Sequence, residues 1–490
     1  MLPVSLAHVL ESPLTVLAVA IGGLLGLLAG MLPGISAVMA MALLLGVTFR
    51  LPLDAGLGML VGIYSSAIYA GSVTAIMLNI PGTPAAAATC LDGFAMARKG
   101  RAREAIGIAT GASFIGEICG ELGTMLFLPV IALLALRLGD WEIFLVAIVG
   151  VTLAGALGGQ RPLKGWISAF AGILLSTVGT DPIWGFPRFA YTPELTRGIG
   201  FVPVLIGLFG LAEVFYVLRA KTPYQLTGEP GRMITPWRVF WEKRRTVVRS
   251  VLVGLGIGVV PGVGESVSPW VAYDLARRGS REPEEFGKGT VDGVIAPEVA
   301  NNATSGGALI PMLVLGIPGS GPTAILMAAL FMYGVRPGPL LIVEEPGFIS
   351  RVVVLFWVSA VVFRLLGWLL SPYFIRLLSM RREVILPAAV TLGALGAWGT
   401  GFTLFDVQVM LAFGVIGYLM RLRGYPLAPM VLGLLVGPVA DRSLRRAILT
   451  YSLDPLAMLL RPVGLLLIVF LGFVLYTQFR GRRSTTPIGA

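Results

Sequence analysis

Four Pro-Gly pairs stand inside apolar stretches of this 490-residue chain, each beside small polar side chains. The first half carries Leu32-Pro33-Gly34-Ile35-Ser36 and Leu78-Asn79-Ile80-Pro81-Gly82-Thr83-Pro84. The second half carries Val260-Pro261-Gly262-Val263-Gly264-Glu265-Ser266 and Leu315-Gly316-Ile317-Pro318-Gly319-Ser320-Gly321. Pro removes a backbone donor and clashes with the preceding turn, and Gly admits unwound dihedrals, so each pair predicts a broken helix. At such a break the following half-helix turns free N–H groups and a positive dipole end toward the gap, while the preceding half turns carbonyls toward it. The first suits an anion and the second a cation such as Na⁺. Hydroxyl and amide side chains serve both, donating to carboxylate oxygens or offering neutral oxygens to a cation. The candidate ligand-binding residues at the breaks are therefore Pro33, Gly34, Ser36, Asn79, Pro81, Gly82, Thr83, Pro261, Gly262, Ser266, Pro318, Gly319, Ser320 and Thr323.

Between the two breaks of the second half, Asp292 through Thr304 brings two carboxylates and two adjacent amides into an apolar stretch, where polar groups need partners. Asn301 and Asn302 join the candidate set, and with Asn79 they are the candidate Na⁺ ligands. Glu298 reads either as a coordinating group or as an interfacial salt-bridge partner. Asp92 reads as a cap or loop residue. Glu117, Glu121, Glu213 and Asp406 are isolated acids in apolar contexts, and pairing with Arg is preferred over a proton-relay role. Glu265 puts a carboxylate beside a break expected to hold an anion, which would favour a cation there or restrict the anion that fits. The plainer reading is that Pro and Gly kink helices and small residues let them pack closely. One break does not separate the two readings; four breaks in two matched pairs favour a site.

The elements that must position these residues are membrane-spanning helices. Hydrophobic residues make up 56% of the chain and charged residues 13%, about half the share in a soluble domain. Mean hydropathy is +0.86. Apolar runs at Leu14–Leu32, Phe144–Gly158, Gly198–Leu218, Val251–Val260, Val352–Leu370 and Leu456–Tyr476 include several of the roughly 20 residues that a spanning helix needs. The expected fold is an all-α polytopic membrane protein of about ten to twelve transmembrane helices.

The net charge is +11, and 23 of the 37 Lys and Arg fall in six clusters at 98–103, 219–249, 376–382, 421–423, 442–446 and 480–483. Short basic clusters between apolar runs follow the positive-inside rule for cytoplasmic loops. No basic stripe with interleaved aromatics appears, which argues against nucleic acid as a partner. No Lys or Arg precedes Arg50, so Leu14–Leu32 is expected to be a retained span rather than a signal peptide, with the N-terminus outside the cytoplasm. Cys90 and Cys119 lack metal-site spacing, and His8 is the single histidine, so zinc chemistry and a His-based triad are not expected.

The two halves repeat. Pro33 and Pro261 are 228 residues apart, and Pro81 and Pro318 are 237 apart, so two matches occur in order with nearly equal offsets. The first repeat is entered past Glu11 and the second past Lys243-Arg244-Arg245. After its second Pro-Gly element the first runs into Arg98-Lys99-Gly100-Arg101, and the second into Glu344-Glu345. Corresponding loops of opposite charge belong on opposite membrane faces, which is the pattern of the inverted-topology repeats of secondary transporters. A parallel duplication with scattered loop charges is the alternative. The expected division is 1–235 for the first repeat and 236–490 for the second with additional C-terminal helices.

At these residues the sequence resembles the large membrane subunit of the bacterial tripartite tricarboxylate transporters. The resemblance is carried by Gly62-Ile63-Tyr64, Asn79 through Pro84, Asp92 through Gly100, Phe286-Gly287-Lys288-Gly289, Gly293 through Glu298, Asn301-Asn302, and Gly306-Gly307 through Gly316-Ile317-Pro318-Gly319-Ser320; it covers roughly residues 15–430. Phe94-Ala95 departs from the Tyr and Pro that often follow Asp-Gly in that family. The resemblance implies a location in the bacterial inner membrane. It also implies a small four-helix membrane subunit and a periplasmic solute-binding protein as partners. The implied activity is ATP-independent import of citrate, another di- or tricarboxylate or an aromatic acid, driven by an ion gradient of Na⁺ or H⁺. No cofactor is implied, and the chain contains no G-x-x-x-x-G-K-[ST] phosphate loop.

The reading is thus a secondary active transporter subunit, not an enzyme, with its site near the bilayer midplane where the repeats meet. A channel or another membrane anion permease is the alternative; a channel needs a continuous polar lumen, and the sequence offers broken helices instead. A membrane-embedded enzyme would need a nucleophile with its base or a ligand cluster, and none is evident.

Overall fold

The computed structural model describes residues 2–32, 36–79, 81–156, 162–181, 183–219, 231–260, 264–338, 340–345, 347–374, 382–451 and 454–480. Among these, the strands are one two-residue antiparallel pair, with Gly179 opposite Arg188 and Thr180 opposite Pro187; the remaining regular structure is helical. Six helices are long and apolar enough to cross a membrane: Pro13–Met31, Leu53–Leu78, Ala102–Leu133, Phe348–Tyr373, Leu404–Leu422 and Leu427–Thr450. Six shorter apolar helices accompany them. The chain is an all-α, multi-pass membrane protein.

In chain order the helices that matter here are α1 (Leu2–Leu10), α2 (Pro13–Met31), α3 (Ala37–Thr48), α4 (Leu53–Leu78), α5 (Thr89–Arg98) and α6 (Ala102–Ala135). They are followed by α7 (Asp140–Ala156), α8 (Pro162–Ser176), α9 (Arg244–Gly258), α10 (Gly264–Arg278), α11 (Asp292–Leu315), α12 (Gly321–Met332), α13 (Phe348–Leu370), α14 (Leu427–Thr450) and α15 (Pro462–Arg480). Their boundaries have local causes. Ser12 caps α2, which starts on Pro13 and stops at Met31, two residues before Pro33. Ser36 caps α3, its hydroxyl accepting the Met39 N–H at 3.1 Å. A left-handed residue ends α4 (Asn79, φ 55) and likewise α11 (Gly316, φ 66).

Two compact units make up the chain: residues 1–132 with 202–418, and residues 133–201 with 419–490. In the first, the sequence offsets reappear as contacts. A Cβ on Gly26 or Gly30 would fall 2.4 or 2.3 Å from the carbonyl oxygen of Ile63 or Ala67, so the backbones of α2 and α4 touch. The same offsets carry these pairs to Gly254 with Ala300 and Gly258 with Thr304, where a Cβ would fall 2.5 and 2.7 Å from the carbonyl oxygens and α9 touches α11. They also carry Gly82 against Gly71 onto Gly319 against Ala308. Small residues on one helix face thus set both packings.

The ends of the first unit are equally ordered. At one end Ser5 meets Ser350 (2.7 Å), His8 meets Asp54 (3.1 Å), and the Tyr333 hydroxyl donates to the Leu51 carbonyl (3.1 Å). At the other, Lys99 donates to the Lys288 carbonyl, Arg103 to that of Arg232, and Tyr273 to Asp92. Hence α4 begins at the end where α12 finishes, and α5 finishes where α11 begins.

The second unit packs α8 on α14 through Gly172 and Gly433, whose Cβ positions would lie 1.9 and 2.0 Å from the carbonyl oxygens of Met430 and Ala169. Its buried acids carry arginines. Asp181 is bridged by Arg445 (2.7 Å) and Arg188 (3.4 Å), and Glu142 by Arg461 (2.8 Å).

Candidate functional site

The second Pro-Gly element of each repeat crosses to the other repeat. In α4, the Tyr64 hydroxyl stands 3.4 Å from Ser320 Oγ, at the start of α12. In α11, Asn301, which the 237-residue offset pairs with Tyr64, donates through Nδ2 to the Ala85 carbonyl at 3.3 Å, just past Thr83. Each repeat therefore places one polar side chain of its long helix on the restart of the other.

Two capped helix starts meet at the first of these corners. Ser320 accepts the Thr323 N–H (3.4 Å), while Thr323 Oγ1 accepts the Ser320 N–H (2.8 Å), a reciprocal cap at the start of α12. Gly321, the next residue, is packed so closely against Val38 in the first turn of α3 that a Cβ would lie 2.8 Å from Val38 Cγ2. The positive ends of α3 and α12 therefore lie side by side. Glu265, in the first turn of α10, accepts the Tyr64 hydroxyl. Gly264 (φ +22) faces Gly319 and Ser320, and a Cβ there would be 3.4 Å from each. Ser36, Glu265, Ser320 and Gly321 are half-buried and Ser266, Asn79, Pro81 and Pro84 are exposed, although α4 is buried along nearly its whole length. The breaks thus carry partly exposed residues beside the buried Gly82, Thr83, Pro318 and Gly319. Capped N-termini with hydroxyls have the donors for a carboxylate, while the adjacent Glu265 has the oxygens for a cation.

Of the residues singled out in the sequence, Ser36, Ser320 and Thr323 come together through α3 and α12. Thr83 is buried with its hydroxyl unpartnered, Gly82 is wedged against the Gly30 carbonyl, and Ser266 lies in the first turn of α10. Asn301 and Asn302 are buried side by side on α11; Asn302 Nδ2 donates to Asn301 Oδ1 and to the Glu298 carbonyl. Asn79 ends α4, and the hydrogen bonds of Asn301 and Asn302 among the described residues run to Ala85, Glu298 and one another. Pro33, Gly34, Pro261 and Gly262 lie outside the described residues.

The acids differ from expectation. Glu117 and Glu298 have hydroxyl partners in place of arginine or lysine: Ser65 and Ser305 donate to Glu117, Thr89 and Ser113 to Glu298. Asp406 pairs with Thr403. The Glu213 side chain lies outside the described residues. Asp92 anchors a loop from within α5, accepting the N–H groups of Gly287, Gly289 and Thr290. Tyr64 was missed because a tyrosine in an apolar helix reads as core; the 237-residue offset, which sets it opposite Asn301, was the signal available.

Residues 16–432 match the family model described as the Tripartite tricarboxylate transporter TctA family. The chain belongs to that family. It is 34% identical over 484 residues to an Agrobacterium vitis protein described as an uncharacterized 52.8 kDa protein in the TAR-I ttuC′ 3′ region. That similarity covers 96% of this chain and 95% of the relative. A second A. vitis protein, described as an uncharacterized protein in the TAR-II ttuC′ 3′ region, is 30% identical over 235 residues, 46% of this chain and 96% of its own length. No solved structure matches. As a TctA-family member the chain is a transporter subunit, and the family name places it in a tripartite system.

Proposed function

We propose that this chain is the translocating subunit of an ion-gradient-driven importer of a di- or tricarboxylate, delivered by a periplasmic binding protein and working with a small membrane subunit in the bacterial inner membrane. The observation that supports this most is the meeting of two capped helix starts, at Ser36 and Ser320, beside Tyr64 at breaks that carry partly exposed residues. In this reading the first-turn N–H groups of α3 and α12, with Ser36 and Ser320, take the substrate carboxylates, Tyr64 lines the corner with its hydroxyl proton held by Glu265, and Asn301 ties the restart after Thr83 to α11. On the same reading the two repeats are inverted, which is supported by contacts that recur at the sequence offsets and by α4 beginning at the end where α12 finishes. An inverted pair lets one site face either side of the membrane by exchanging the conformations of its halves.

The test is uptake of labelled citrate, followed by a panel of di- and tricarboxylates, into sealed vesicles holding this chain with its two partner subunits. Wild type is expected to accumulate at least one carboxylate when an ion gradient is imposed. Asn301→Ala and Ser320→Ala are expected to lose most of that uptake. Equilibration without accumulation across the whole panel would sink the reading.

A further inference from the structure

Three buried glutamates take no part in the proposed carboxylate site. Glu117 and Glu121 sit one turn apart on α6, with Ser113 one turn earlier on the same face, and Glu298 sits on α11. The two helices run side by side in one direction. A Cβ on Gly116 would fall 2.4 Å from the Val299 carbonyl oxygen, and one on Gly120 would fall 2.6 Å from Ala303 Cα. The acids therefore line one seam: Glu298 against Ser113 (2.9 Å), Asn302 beside Gly116, Glu117 against Ser305 (3.1 Å), then Glu121, which also neighbours Ser305. All three carboxylates are 0% exposed.

Donors are shared unevenly along this line. Glu298 receives two hydroxyls, and Glu117 receives that of Ser65 and shares that of Ser305 with the Asn302 carbonyl, so the single Ser305 proton has two acceptors to turn between. Among the described residues both oxygens of Glu121, and Oδ1 of the adjacent-turn Asn302, lack a hydrogen bond of full geometry, Ser305 being the hydroxyl that neighbours Glu121. Every one of these atoms is an acceptor, so the seam is short of a donor or a cation. An ionised carboxylate with neither is prohibitively costly in a dry interior, and a proton on Glu121 removes the charge and supplies the donor. Na⁺ is the competing occupant: the backbone carbonyls of residues 113–121 and 298–305 lie within continuous helix, so only side-chain oxygens would be left to hold it, and the labelling experiment separates the two. The titratable groups around the seam are Glu265 and Tyr64 at its carboxylate-site end, Cys119 on α6, and Cys90 and Tyr69 near Glu298. Arg364 is the basic group facing this stretch of α6, stacked over Phe114 and Trp237.

We infer that Glu121, Ser305 and Glu117 form a proton-binding relay. Glu121 gives its carboxyl proton to Ser305 Oγ while the hydroxyl proton of Ser305 passes to Glu117 Oε2, so one proton moves and no electrons change hands. Its place in coupling rests on the transport reading above, whereas the proton site can be tested without transport. Purified full-length chain in detergent is treated with dicyclohexylcarbodiimide, which attacks protonated carboxyls in apolar surroundings, and the adducts are mapped by mass spectrometry. An adduct on Glu121 that declines as pH rises and ignores Na⁺ is expected. No adduct there, or one that Na⁺ blocks at constant pH, overturns the relay. In vesicles with both partner subunits, accumulation driven by a pH gradient is expected to be lost in Glu121→Gln and regained in Glu121→Asp; its persistence in Glu121→Gln also overturns the relay. Wild-type vesicles that take up no carboxylate count against the transport reading alone, and the adduct still decides the proton site.

Discussion

The two units hold their interior acids in opposite ways. In the second, Glu142 and Asp181 are each bridged by arginine, and Asp181 also accepts the N–H groups of Ile183 and Trp184 at 2.8 Å. In the interior of the first, Glu117 and Glu298 are met by hydroxyls, and Glu121 has Ser305 beside it without arginine or lysine among the described residues. An acid bound to arginine holds a fixed partner and serves as a structural tie. An acid held by hydroxyls, which donate or accept equally, tolerates either protonation state. The first arrangement builds scaffold; the second keeps a charge adjustable.

Three measurements press on that contrast. The largest effect is expected from Arg461→Ala, which strands the fully buried Glu142. It should cost about 3 kcal/mol, the low end for a broken buried pair because Arg461 itself is partly exposed; denaturation of the detergent-solubilised chain reads it. Glu117→Gln should cost only about 1 kcal/mol by the same assay, since one hydroxyl must turn around and no counter-charge is lost. Equal losses in the two variants would erase the distinction. The smallest effect concerns acid. The Trp184 N–H, then that of Ile183, with Arg445, holds the Asp181 carboxyl down at about 2. A depressed value means that the ionised form supports the loop fully above about pH 4 and that this support is lost as pH falls toward 2. Amide protection at residues 183 and 184, corrected for intrinsic exchange, should fall across that window and stay flat above it.

The fold class was legible because it depends on local pattern, the apolar runs; the Pro-Gly pairs and the offset between them are local pattern too. The offset reached further than expected, down to individual helix contacts such as Gly26 with Ile63 and Gly254 with Ala300. The partners of the acids were not legible. Ser65 lies 52 residues from Glu117 and Ser305 lies 188 away, and nothing in either neighbourhood announces the other. An acid in an apolar run suggests an arginine because charge must be balanced; the fold balanced it with hydroxyls from two other helices. Ser36, Ser320 and Thr323 were found for a sound reason, since the residues that suit an anion are also those that cap a helix start. Ser320 and Thr323 do cap one another, so part of their polarity is already committed to α12.

The glycines that join α2 to α4 and α9 to α11 have a mechanical consequence. Where main chain rests on main chain, no flexible side chain cushions the contact, and sliding one helix by a residue would drive a Cα or carbonyl into its neighbour. Each pair is riveted and cannot shear. If the proposed transport cycle moves these helices, α2 with α4 and α9 with α11 are expected to travel as pairs, with the bending left to the connections between them. The left-handed residues Asn79 and Gly316 are where α4 and α11 end.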